Sequence, residues 1–396
     1  DGVLLLPRRA AIMAATKEAG AVAIYVDVSS AVYGKAGLKR YAESLVWALR
    51  PLLGQRLRLF QNSLGRRGPL PGWEDWPTVG VPWGYKPWRM VVGLGQLLRY
   101  PLDRLVPEAE LFHATEHLLP PFAHIPTVLT VHDLIFERFP QYHLPLNYHY
   151  LRLTMPLYCR RATAVIAISE ATKADLIAYY GLEASKITVI PEAAAEHFTP
   201  PRPEQIEVAR RRYGLPPRYI LAVGTVEPRK NLNRLVDACG PLLDEGLLDA
   251  LVLVGSKGWL TQDFNRHLAA SPWRQKVLLT GFVAEEDLPA IYGGALALAQ
   301  PSLYEGFGLP VLEAMACGCP VCASRTSSLP EVGGDAALYF DPLDVSEMTA
   351  TLRLVLAEAS LGEELRRRGL ARAAQFSWRR TAEETLALYR RLLAAG

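Results

Sequence analysis

The chain has little cysteine, almost no excess charge and no long apolar run. Its five cysteines, Cys159, Cys239, Cys317, Cys319 and Cys322, are odd in number and follow no disulfide framework. That usage suits a reducing compartment and leads us to expect a cytoplasmic protein. Cys319 and Cys322 have the spacing of a redox or zinc pair. Only one such pair exists and Pro320 lies inside it, so both read as small core residues beside a strand. No stretch approaches the roughly 18 apolar residues of a membrane-spanning helix. A net charge of +3 lacks the basic excess of a nucleic-acid binder. Nucleic acid is therefore not an expected partner, while peripheral contact with the inner face of an anionic membrane stays open. The sequence has no tandem repeat at a 20–50 residue period. It also has no Asp-x-Asp, the pattern that would hold a nucleotide diphosphate through a metal. His113 and His117 have helical i, i+4 spacing but no accompanying carboxylate motif. Neither a metal nor another cofactor is expected.

What is present is an alternation of strands and helices in a chain long enough for two domains. Half of the residues are hydrophobic and 21% are charged, an ordinary globular balance. Residues 1–20 lack the order of a signal peptide and read as an N-terminal extension. Buried strands are expected at 21–26, 57–60, 127–131, 164–168 and 186–190. Residues 29–37 read as a loop with two glycines. The helix after it shows apolar Leu38, Tyr41, Ala42, Leu45 and Leu49 at helical spacing. Residues 196–218, rich in Pro and Arg, read as an irregular linker between domains. A second series follows, with strands at 219–223, 250–254, 276–279, 295–299 and 320–323. Alternation of this kind implies parallel sheets covered on both faces. The expected architecture is α/β, with two Rossmann-like, doubly wound domains at 21–195 and 219–375 facing a central cleft. Ligands in such folds bind at the carboxyl ends of the strands. The segment from Trp73 to Trp88 holds four of the eight tryptophans. It reads as a long loop or short helices, either packed on the domain or reading an acceptor.

Two constellations carry chemistry. Glu305 and Glu313 bracket Gly306, Phe307, Gly308, Leu309 and Pro310. A glycine-rich loop that opens a helix is a ready anion site, because free N–H groups and the helix dipole point the same way. Pro310 suits the first helical turn. Arg229 and Lys230 stand in a second loop, at a strand's carboxyl end and before a helix. Two cations there would hold a pyrophosphate and stabilise its charge as it leaves. A ligand with phosphates in the middle and hydroxyls at both ends, such as a nucleotide sugar, matches this layout. His132 ends a strand and precedes Asp133, which makes it a further candidate.

With these residues in view, the chain resembles the family-4 retaining glycosyltransferases of the GT-B fold, the group 1 glycosyl transferases. The resemblance rests on E-P-R-K-N at 227–231, G-F-V at 281–283, E-G-F-G-L-P-V-L-E at 305–313, H-D-L at 132–134, I-S-E-x-T-K-x-D-L at 168–176 and F-S-W-x-x-T-A at 376–382. It spans about Ile24 to Leu393. It implies a hexosyltransferase in which Arg229 and Lys230 bind the donor diphosphate. Glu305 would hold the sugar hydroxyls, with Gly306, Phe307, Gly308 and Leu309 holding sugar and phosphates through their amides. Glu313 would bind the ribose, the backbone at Phe282 and Val283 the base, and Gly224 would line the donor site. His132 would reach the sugar from across the cleft, and Gly34 to Gly37 would form a mobile loop. The helix at 376–396 would cross back onto the first domain. The implied donor is GDP-mannose first and a UDP- or ADP-hexose next. The implied acceptor is a glycan or a lipid-linked molecule. A non-catalytic nucleotide or glycan binder and a sugar-nucleotide epimerase on the same scaffold are the alternatives.

Overall fold

A computed structural model describes residues 23–34, 36–63, 70 and 72–395. The expected extension at 1–20 and the start of the first expected strand lie outside the described residues. The first half forms a seven-stranded sheet from β1 (Ala23–Asp27), β2 (Leu57–Asn62), β3 (Thr78–Val81), β4 (Ala109–Ala114), β5 (Thr127–Val131), β6 (Ala164–Ala167) and β7 (Ile187–Val189). The second half forms a six-stranded sheet from β8 (Tyr219–Val223), β9 (Ala250–Val254), β10 (Val277–Gly281), β11 (Ala297–Gln300), β12 (Val321–Ser324) and β13 (Leu338–Phe340). The spatial orders are β3-β2-β1-β4-β5-β6-β7 and β10-β9-β8-β11-β12-β13. Every paired strand is parallel. Runs such as Ala-Ile-Tyr-Val-Asp in β1 and Ala-Leu-Val-Leu-Val in β9 are buried along their whole length. Such continuous burial is what helices on both faces of a parallel sheet require.

In each sheet the strand order reverses once, between β1 and β4 and between β8 and β11. The loops leaving the strands at that reversal diverge and leave a crevice. The loop after β8 carries Arg229 and Lys230, and the loop after β11 carries Glu305. Topology alone therefore brings these three residues together, across a gap of more than seventy positions in sequence.

Four sequence expectations need correction. The stretch 29–37 is not a plain loop. Asp27 accepts hydrogen bonds from the N–H and hydroxyl of Ser29, at 2.8 and 2.6 Å, and a helical turn runs Ser29–Tyr33. Gly34, at φ 68°, ends that turn in the left-handed region, while Gly37 lies inside the next helix, Ala36–Leu53. The linker is not irregular throughout, since Pro203–Tyr213 is a helix closed by Gly214 at φ 64°. Pro200, Pro201 and Pro203 sit at or before the helix start and Pro216 and Pro217 beyond its end, where they do no harm. Strand β4 was not anticipated, although it is the central neighbour of β1; its Ala, Glu and His weaken the β pattern. His113 and His117 accordingly do not share a helix: His113 is on β4 and His117 in the loop after it.

The fourth correction concerns the elements of the tryptophan segment, while packing on the domain is the reading that holds for three of its rings. It contains β3 and the start of a helix, Tyr85–Leu98. Trp73, Trp76 and Trp88 are 4%, 5% and 1% exposed, so these rings fill the core and cannot stack on a sugar. Trp73 lies against Trp76, with centroids 5.8 Å apart, and the Arg50 guanidinium covers Trp76 at 4.3 Å. The five cysteines are buried and free. Burial pushes the Cys319 thiol up to about 12, as suits a small hydrophobic filler.

The last helix, Trp378–Ala395, returns to the first half. It packs against the helix Ala36–Leu53. Thr381 donates to the Pro191 carbonyl at 2.8 Å. The Tyr389 hydroxyl meets His113 Nδ1 at 2.6 Å, and His113 Nε2 meets the Thr130 hydroxyl at 2.7 Å. Burial, aided by the charge of His132, holds the His113 imidazole down at about 3, so it is neutral and pairs as one donor and one acceptor. Tyr389 is 0% exposed. We expect Tyr389→Ala to destabilise the protein by about 3–5 kcal/mol, measured as an earlier midpoint in chemical denaturation. An unchanged midpoint would show that this helix does not hold the first half.

Candidate active site

The carboxylate of Glu305 is the centre of a buried polar cluster. Lys230 Nζ donates to Oε1 at 2.7 Å and Arg229 Nη1 donates to Oε2 at 2.6 Å. Gln300 and the Ser302 hydroxyl add two more bonds to Oε1, at 2.8 and 2.5 Å. Burial alone would raise the Glu305 pKa, but the charges of Arg229 and Lys230 and the bonds from Lys230 and Ser302 outweigh it. The carboxyl is held well below the usual range. Arg229 also donates to the Tyr304 carbonyl and pairs with Glu227. Local backbone makes this possible. Gly224 has φ 141°, and a Cβ there would lie 3.0 Å from Lys230 Cε. A side chain at 224 would thus push Lys230 out of place. Asn231 begins the following helix in the left-handed conformation, φ 56°, with its amide donating to the carbonyls of Pro301 and Pro342.

Gly308, at φ 113°, turns the chain into the helix Leu309–Ala316, with Pro310 in its first turn. Glu313 lies one turn in and is 2% exposed. Its carboxylate accepts from Tyr292 at 2.7 Å and from Arg40 at 2.5 Å. Burial raises its pKa above the ordinary carboxylate value, against the lowering pull of Arg40. Arg40 belongs to the first half and also pairs with Glu285 at 3.1 Å. Sequence reasoning missed Arg40, because an arginine on a helix surface carries no local signal. Phe282 and Val283 follow β10; Phe282 is 83% exposed and Val283 is buried.

The two halves meet directly at this site. A Cβ on Gly306 would fall 2.0 Å from the His132 carbonyl oxygen, so only glycine permits the approach. The Ser169 hydroxyl donates to the Gly306 carbonyl at 2.6 Å and caps its own helix by accepting from the Thr172 N–H. Glu331 caps the same helix from the opposite half, accepting from the N–H groups of Glu170 and Ala171, each at 2.7 Å. Tyr304 donates to Asp175 at 2.5 Å. The space beside Gly224, Lys230 and Ser302 is a cavity of about 10 Å³, about the least that holds one water. That cavity is lined wholly by residues of the second half and is too small for a diphosphate.

His132 is placed at this seam, though by its backbone. Its carbonyl faces Gly306, while its ring stays within the first half. Nδ1 meets Glu192 at 3.0 Å and Nε2 donates to the Thr115 carbonyl at 2.8 Å. Burial pushes the imidazole pKa down, but Glu192, the Thr115 carbonyl and Asp133 more than offset this and raise it. Glu192 is a second partner of this ring that sequence reasoning missed. Of the sequence-derived set, Arg229, Lys230 and Glu305 join in one cluster, Gly306 meets the His132 carbonyl, and Glu313 pairs with Tyr292 and Arg40.

Residues 36–194 match the family described as Glycosyltransferase Family 4, and residues 205–372 match Glycosyl transferases group 1. An O-antigen chain mannosyltransferase B of Escherichia coli is 35% identical, over 67% of this chain and 70% of its own length. The serotype-specific mannosyltransferase WbdA of Escherichia coli is 32% identical over 67% of this chain but 34% of its own length. The chain thus spans about a third of that relative. Among solved structures, a sucrose-phosphate synthase from Thermosynechococcus elongatus has a TM-score of 0.74 at 21% identity, over 94% of this chain and 99% of that one. Anabaena Alr3699/HepE in complex with UDP and glucose has a TM-score of 0.71 at 20% identity, over 94% and 100%. These two likenesses speak to the fold.

The raised pKa of His132 gives a pH signature. Its stabilisation is fully present below the unfolded value of about 6.5 and is lost as pH rises through the raised folded value. Glu192→Gln should therefore lower the melting temperature most near about pH 6, with the difference shrinking at alkaline pH. A deficit independent of pH would mean that His132 is neutral in the fold.

Proposed function

Since this chain belongs to the group 1, family-4-type glycosyltransferases, a hexosyltransferase on the GT-B fold, we propose that it moves mannose from GDP-mannose to a hydroxyl of a glycan or lipid-linked acceptor. The Glu305–Arg229–Lys230 cluster, at the topological crevice and facing the other half, carries this reading. The mannosyltransferases named among the curated relatives support the choice of sugar. A UDP- or ADP-hexose is the next donor to consider, since one structural neighbour was solved with UDP and glucose.

In this reading, parting of the halves admits the donor. Arg229 and Lys230 then turn from Glu305 toward the diphosphate. The N–H groups from Gly306 to Leu309, at the start of a helix, add a fixed positive potential. Glu305, freed of these two cations, accepts from sugar hydroxyls. Glu313 accepts from the ribose hydroxyls in place of Arg40. The backbone at Phe282 and Val283 meets the base. His132 presents its carbonyl to the sugar, and its ring keeps that strand end in position through Glu192 and Thr115.

The transfer proceeds with retention, by attack of the acceptor hydroxyl on the face that the diphosphate leaves. The new C–O bond forms as the anomeric C–O bond to phosphate breaks, and the hydroxyl proton passes to the departing phosphate oxygen. Charge develops on that oxygen, where Arg229 and Lys230 stabilise it without a metal. Glu305 and Glu313 flank a phosphate seat, which does not suit the opposed acid and base of glycoside hydrolysis.

Lys230→Ala and Glu305→Gln should each lower transfer by about 10²–10³-fold in protein whose circular dichroism is unchanged. Near-normal transfer by both folded variants would refute the assignment. Activity should also survive EDTA; loss that Mg²⁺ or Mn²⁺ restores would overturn the metal-free step. For the donor, GDP and GDP-mannose should raise the melting temperature more than UDP or ADP partners at equal concentration.

A further inference from the structure

Arg40 stands where a bound nucleoside needs room. It belongs to the helix Ala36–Leu53 of the first half, yet both carboxylates it meets here belong to the second half. Nη1 donates to Glu313 Oε1 at 2.5 Å, and Nε pairs with Glu285 at 3.1 Å. Tyr292 donates to the other oxygen of Glu313 at 2.7 Å. Glu313 is thus engaged at both oxygens. The one taken by Arg40 is the one reached from across the seam between the halves.

A carboxylate that is 2% exposed is costly to leave without a partner. In the empty site Arg40 is that partner. The neighbouring hydroxyls of a ribose offer paired donors, as a guanidinium does, and both cannot hold Glu313 Oε1 at once. Arg40 is not stranded when it leaves. Its Nε already meets Glu285, a carboxylate 48% exposed with room to receive it. Its guanidinium lies over the Phe198 ring, 5.9 Å from the centroid. Glu285 comes two positions after Val283, on the side of the base. A turn about the outer bonds of the arginine stem therefore carries the guanidinium from one carboxylate wholly onto the other. Arg40 has two resting places, and only one of them obstructs the site.

We propose that Arg40 is a built-in competitor for the donor's ribose: it fills the nucleoside end of the empty site, and donor binding moves it from Glu313 to Glu285. This role rests on Glu313 being the ribose carboxylate, as proposed above. Its effect is selective. A nucleoside diphosphate must displace Arg40, so its affinity is reduced by the loss of a charge-assisted hydrogen bond. Inorganic pyrophosphate reaches Arg229 and Lys230 without touching Glu313 and leaves Arg40 in place. After transfer, return of Arg40 to Glu313 helps the spent nucleoside diphosphate depart.

The test is isothermal titration calorimetry of the full chain with GDP, UDP and inorganic pyrophosphate. A pH of about 8 favours ionised Glu313 once Arg40 is gone, since burial raises its pKa. Arg40→Met keeps the apolar stem. It should tighten whichever nucleotide the parent binds better by about tenfold and leave pyrophosphate unchanged. Arg40→Lys, which keeps the charge but not the fork, should tighten it less, and carries the comparison if Arg40→Met does not fold. In a Glu313→Gln background, Arg40→Met should lose most of its gain. Nucleotide affinity that is unchanged or weaker in a folded Arg40 variant overturns the proposal. So does a gain that persists in full beside Glu313→Gln. An equal gain for pyrophosphate overturns it in favour of a plain tie between the halves. A parent that binds pyrophosphate but neither nucleotide overturns the donor reading, and this role of Arg40 with it.

Discussion

A carboxylate buried as deeply as Glu305 cannot remain ionised without compensation. Removing it from water costs several kcal/mol unless opposite charge and hydrogen bonds replace the lost hydration. Arg229, Lys230, Gln300 and Ser302 supply that replacement, and they come from two different loops. The loops after β8 and β11 are therefore tied to each other at the one place where the sheet order reverses. In the proposed reaction the same two cations, already withdrawn from water, would turn from Glu305 to stabilise charge on a phosphate.

The second constraint is steric. Gly306 accepts the His132 carbonyl at a distance that no side chain would tolerate. Around this contact the halves exchange hydrogen bonds in both directions, with Ser169 reaching to the Gly306 carbonyl and Glu331 reaching back to a helix start. The return helix adds a covalent constraint. Leaving the second half, it seats Trp378 and Tyr389 against the first, near Tyr41 and His113. Motion between the halves must be compatible with this anchor, which favours bending near the chain crossings over free separation.

The core of this architecture was legible in the sequence because parallel strands are buried on both faces and read as unbroken apolar runs. That is why β1, β5, β6, β8, β9 and β11 stand out, and why β4, with Glu110 and His113 in it, does not. The Glu305, Arg229 and Lys230 positions were legible because glycine, proline and charge recur there at fixed spacing. Arg40, Glu192 and Glu331 were not. Each acts across a long sequence separation on a backbone or carboxylate group, and nothing in its own neighbourhood says which partner it will meet. The tryptophan-rich segment left two readings open for a related reason: large amphipathic rings suit both a core and a binding surface, and only burial distinguishes the two.

The seam at Gly306 has a kinetic consequence. Ser169, Tyr304 and Glu331 hold the halves together around it. In the proposed reaction, a donor that enters between the halves would do so only when these bonds part, so its observed association rate would level off at the opening frequency instead of climbing with concentration.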